Sequence, residues 1–110
     1  MRPVADTSVI VAAALQSGAG HGECRAAIRA SDAAAAGHAC VESFSVLTRL
    51  PNDVRLSSAD AARVLEAVVP TTRPLSADEQ LDFAHWVKGS GIVGGAVYDA
   101  LVGWAARCAG

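Results

Sequence analysis

Three carboxylates stand where the pattern of the chain breaks. Asp6 ends the short apolar run "PVAD", and Glu42 follows "HACV". Asp99 is the only charge in "GGAVYDALVGWAARCAG" before Arg107. Crowded carboxylates repel and raise one another's pKa values. A hard divalent cation removes that conflict, and an oxygen-only donor set, without Cys or His, selects Mg2+ or Mn2+. Such an ion clamps phosphate oxygens and activates water for in-line attack on a phosphodiester. Each acid alone has a plainer use. Asp6 suits a helix N-cap, Glu42 suits the positive start of a helix, and Asp99 suits a solvated helix face. Their joint placement favours a site, because ligands of open α/β sheets bind beyond the carboxyl ends of strands.

The elements that must position these acids follow from the apolar periodicity. "PVAD" reads as a short strand, and "TSVIVAAALQ" as a helix whose first N–H groups Thr7 and Ser8 can satisfy. "HGECRAAIRASDAAAAG" is Ala-rich and reads as a second helix stopping at Gly37. "HACV" reads as a buried strand, and "ESFSVLTRL" as a helix with Phe44, Leu47 and Leu50 inward, closed by Pro51. "SSADAARVLEAVV" is a helix capped by Ser57 or Ser58, with the stripe Ala61, Val64, Leu65 and Val68. "PTTRPL" predicts an edge strand or an extended link. In "SADEQLDFAHWVKGSG", Ser76 and Glu79 form a capping box. The last helix carries a stripe of Val97, Leu101, Trp104 and Cys108 at helical spacing, expected to be buried, with the small Gly103 and Ala106 on the face of Asp99. The order β-α-α-β-α-α-β-α-α predicts a single α/β domain whose parallel sheet is covered on both sides.

Bulk composition narrows the classes. The 110 residues are 52% hydrophobic and 18% charged, which describes a folded domain. Aromatics make up 5%, so the core must be built mainly from Ala, Val and Leu. A net charge of −2 carries no signature of a generic nucleic-acid binder. Arg25 and Arg29 share a helix face, and a solvated face accounts for them more simply than phosphate contacts. Cys24, Cys40 and Cys108 are odd in number and widely spaced, which points to small buried thiols in a reducing, cytoplasmic setting. His21, His38 and His85 lack metal-ligand spacing. The opening residues resemble a secretory leader only in part, since Asp6 precedes the run Val9–Leu15. No apolar stretch reaches membrane-spanning length.

The same segments resemble those of PIN-domain proteins, and among them the VapC toxins of type II toxin–antitoxin modules. "VADTSVIVAAA" resembles the family's opening, "ACVESFSVLTRLP" the segment of its second acid, and "GGAVYDALVGWAARCAG" that of its third. The resemblance implies a three-layer α/β/α PIN fold and a Mg2+- or Mn2+-dependent endoribonuclease acting on single-stranded RNA, often tRNA or rRNA. It implies a homodimer held inactive by a cognate antitoxin. Asp6, Glu42 and Asp99 match the metal-binding acids, and Thr7 or Ser8 the hydroxyl that helps hold the metal or its water. The resemblance departs at Gly110, where relatives usually continue with a strand bearing a fourth acid, then a last helix and strand. A domain lacking those parts would be shortened, fragmentary or completed by another chain. The alternative to a nuclease is then an inactive PIN module that only binds an antitoxin or dimerises.

Overall fold

The computed structural model describes residues 3–31, 33–69 and 72–108. The elements are β1 (Val4–Ala5), α1 (Thr7–Ala14), α2 (His21–Ser31), β2 (Ala34–Ala36), α3 (Gly37–Thr48), α4 (Ser58–Val68), β3 (Thr72–Arg73), α5 (Ala77–Val87) and α6 (Ala96–Cys108). Their order is the alternation expected from the sequence. The three short strands are parallel, in the order β1-β2-β3, with Val4 paired to Ala34 and Ala35 to Thr72. The protein is thus mostly helical around a small parallel sheet, with β3 at one edge.

One assignment needs correction. The second strand is Ala34–Ala36 rather than His38–Val41, and Gly37 opens α3 instead of closing α2. Alanine is the strongest helix former, so an Ala run reads as helix. Here α3 and α6 both pack on β2. Ala35 and Ala36 are fully buried there, where larger side chains would hold the layers apart. "HACV" occupies the first turns of α3 instead. Val41 is 73% exposed, an exposure no central strand would leave.

The core joins α1, α3 and α4 to the sheet. Its members are mostly alanines, and its largest fully buried side chains are Ile10, Leu47 and Ser43. Helix α1 packs on α2, α3 and α4, so it sits at the centre of this half. In α4, Ala61, Leu65 and Val68 are buried as the stripe predicts, and Ser57 caps by accepting from the Asp60 N–H at 3.1 Å.

Helices α5 and α6 form a separate pair. The capping box of α5 is present: the Glu79 N–H donates to Ser76 Oγ at 3.1 Å, and the Ser76 N–H to Glu79 Oε1 at 2.9 Å. Trp104 of α6 joins the two helices. Its ring stacks on Trp86 at 5.3 Å, and its Nε1–H donates to the Glu79 carbonyl at 3.0 Å. Helix α6 in turn lies against β1 and β2. Among the described residues, no helix is long and apolar enough to cross a membrane.

Candidate active site

The site starts at the end of β1. The chain passes from strand to helix through Asp6, which is the N-cap of α1. Its Oδ1 accepts from the Val9 N–H at 3.1 Å and from the Ser8 hydroxyl at 2.9 Å. The cap is therefore Asp6, and neither Thr7 nor Ser8 caps the helix. Asp6 is a cap and a cleft residue at once, because the bonded oxygen is Oδ1 alone. Its Oδ2 has no partner among the described residues and remains available to a ligand.

Thr7 has a different role. Its hydroxyl donates to Glu42 Oε2 at 2.8 Å, tying the start of α1 to α3. Glu42 lies in the second turn of α3, not at its N-terminus, so the helix start is not what places it. Placement comes from the direct β2–α3 junction at Gly37 together with the Thr7 bond. Asp99 approaches from the third side, in the first turn of α6. Gly94 turns the chain into that helix with φ at +63°, in the left-handed region that side chains disfavour. The Tyr98 N–H then donates to the Gly95 carbonyl at 3.2 Å, closing the first turn. Asp99 is exposed and makes no hydrogen bond among the described residues.

These side chains meet in one cleft of about 570 Å³. Asp6, Thr7, Ser8, Glu42 and Asp99 all line it, beyond the ends of β1 and β2. They share the cleft without closing on one point. Among the described residues, no three His, Cys, Asp or Glu side chains are close enough together to hold an ion. Among the described residues, no Lys or Arg belongs to the lining, so none of them offsets the three acids there.

The rest of the lining was not read from the sequence. His38, Tyr98 and the apolar side chains Val11, Val46 and Val102 complete it. His38 was hidden by the strand assignment. A large aromatic next to a lone acid was the available signal for Tyr98. The face of α6 that carries Asp99 into the cleft is shared with Tyr98 and Val102, not with Gly103 and Ala106. Gly103 is exposed, and a side chain there would meet nothing within 4 Å, so no close approach requires it to be small. Cys24, Cys40 and Cys108 are each half-buried, and none lines the cleft.

Comparison with known proteins gives the family of the chain. The chain is 41% identical over 101 residues to Ribonuclease VapC27 of Mycobacterium tuberculosis, covering 92% of this chain and 74% of that protein. It is 36% identical over 108 residues to Ribonuclease VapC40 of the same species, covering 96% of this chain and 78% of the relative. The chain belongs to the VapC family. No family model matches it, and no solved structure matches it. Both alignments run over more than nine-tenths of this chain, in agreement with the family resemblance.

Proposed function

We propose that this protein is a metal-dependent endoribonuclease toxin of a toxin–antitoxin pair, built on a PIN-like three-layer α/β/α arrangement. One observation carries the reading. In a chain of the VapC family, Asp6, Glu42 and Asp99 reach a single cleft from three different elements. The relatives' names supply the reaction class, and the cleft supplies groups suited to it.

The donors suit a hard cation. Oδ2 of Asp6, Oε1 of Glu42 and both oxygens of Asp99 have no partner among the described residues. Mg2+ usually keeps several of its waters and binds through one or two carboxylates, so the acids need not all touch the ion. When bound, Mg2+ or Mn2+ supplies charge neutralisation at the phosphate and a more acidic water. The chain's own contribution is orientation. Ser8 and the Val9 N–H fix the Asp6 carboxylate, and the Thr7 hydroxyl fixes that of Glu42. Asp99 accepts whatever proton-donating ligand, such as bound water, faces the α6 side of the cleft. The substrate is RNA, with tRNA or rRNA as the target class. A cognate antitoxin and a second copy of the chain are the expected partners, and the cytoplasm the expected location.

The test is cleavage of end-labelled single-stranded RNA by the purified protein. Cleavage in Mg2+ or Mn2+ that stops with EDTA and resumes on adding the ion is the expected result. Metal-independent cleavage would overturn the metal reading. No cleavage of any RNA at any ion concentration, with antitoxin binding intact, would mark a non-cutting module instead.

A further inference from the structure

The cleft carries an electrostatic conflict with its proposed substrate. Proteins usually hold a polyanion through Lys and Arg contacts to phosphate. The described lining has three carboxylates and no such cation. A bound metal ion would offset the charge at one phosphate, and the described lining offers the flanking nucleotides an uncharged means of attachment. Stacking of bases on aromatic rings is one, since every base has a π-face.

Tyr98 is placed for that role. It is 60% exposed in a chain poor in aromatics, and it lines the same cleft as the acids. It immediately precedes Asp99 and shares a helix face with Val102, four residues on. The ring and the acid thus line one cleft, together with the apolar Val102. His38 flanks it, with ring centroids 6.1 Å apart and planes tilted by 36°. Its hydroxyl has no hydrogen bond among the described residues. Trp104 shows what a structural aromatic looks like on the same helix. Its ring is stacked and its N–H is satisfied by a carbonyl. Packing does not use Tyr98 in this way.

We propose that Tyr98, flanked by His38, is a stacking platform for an unpaired nucleobase next to the phosphate that is cut. The inference rests on the ribonuclease reading. It gives the cleft a preference for single strands, because a paired base cannot present its face to the ring.

The experiment compares wild type, Tyr98→Ala and Tyr98→Phe on a short single-stranded RNA whose cleavage position has been mapped with wild type. The same RNA is also made with an abasic nucleotide on either side of that position. Tyr98→Ala raises KM about tenfold, whereas Tyr98→Phe, which keeps the ring, stays within about twofold. One abasic nucleotide weakens wild type about tenfold and adds nothing to Tyr98→Ala. The loss persists at raised salt, because stacking releases no counterions. An unchanged KM for Tyr98→Ala, or equal abasic penalties in both proteins, overturns the platform while leaving the nuclease intact. If Tyr98→Ala does not fold, wild type decides alone, and the absence of any abasic penalty overturns the proposal. Wild type that cuts no RNA removes both readings together.

Discussion

The two sides of the cleft are held in different ways. Asp6 and Glu42 stand on α1 and α3, whose inner faces are sealed around Ile10, Ala13 and Leu47 at zero exposure. Both carboxylates are also tethered by side-chain hydrogen bonds. Asp99 stands on α6, where only Ala105 is buried, and no bond among the described residues fixes its carboxylate. Helix α6 is joined to α5 by an aromatic cluster in which Trp86 is 46% exposed. Two acids are thus set by the core, and the third is carried by a helix with a lighter hold. The positions of Asp6 and Glu42 should follow global stability, while that of Asp99 should follow the docking of one helix pair.

Substitutions can break this contrast. Leu47→Ala, at the sealed side, removes a fully buried side chain and should cost about 3 kcal/mol of global stability, read from the denaturant midpoint. A loss below about 1 kcal/mol would show that the α1–α3 side is not the stronger one. Trp104→Ala should cost about 2 kcal/mol, less than a full core truncation because the ring is only half-buried. Hydrogen exchange should then speed up in α5 and α6 while α1 and α3 keep their protection. Uniform loss of protection would erase the distinction between the two sides. Thr7→Val frees Glu42 without touching the core. It should lower RNA cleavage about tenfold with little change in melting temperature. Ser76→Ala removes the cap of α5 and should cost about 1 kcal/mol, concentrated in that helix.

Legibility in the sequence followed the range of the interactions. The element order could be read because Gly, Pro and capping Ser residues mark the ends locally. The capping box at Ser76 and Glu79 is a contact between neighbours, and it formed as expected. The strand Ala34–Ala36 could not be read this way. Nothing in an Ala run separates strand from helix, and burial between α3 and α6 decides it. In the site, Asp6 was visible because it ends β1, and Asp99 because it is a lone charge in an apolar helix, whereas Glu42 was picked out from a strand end that lies elsewhere, since it sits in the second turn of α3. The Thr7–Glu42 bond links residues thirty-five positions apart and has no local signature. Likewise, His38 and Tyr98 become neighbours only when α3 and α6 meet over the sheet.

The central claim is that an acid on the lightly held helix completes a cation-dependent centre with two acids fixed by the core. Asp99→Asn tests it most directly, because it keeps the shape of the side chain and removes its charge. The measurement is the rate of single-stranded RNA cleavage in Mg2+, against Asp82→Asn, an exposed acid of α5 outside the cleft, as control. The account predicts that Asp99→Asn remains folded and loses about a hundredfold or more in rate, while Asp82→Asn cuts like wild type. Cleavage by Asp99→Asn at the wild-type rate would contradict it.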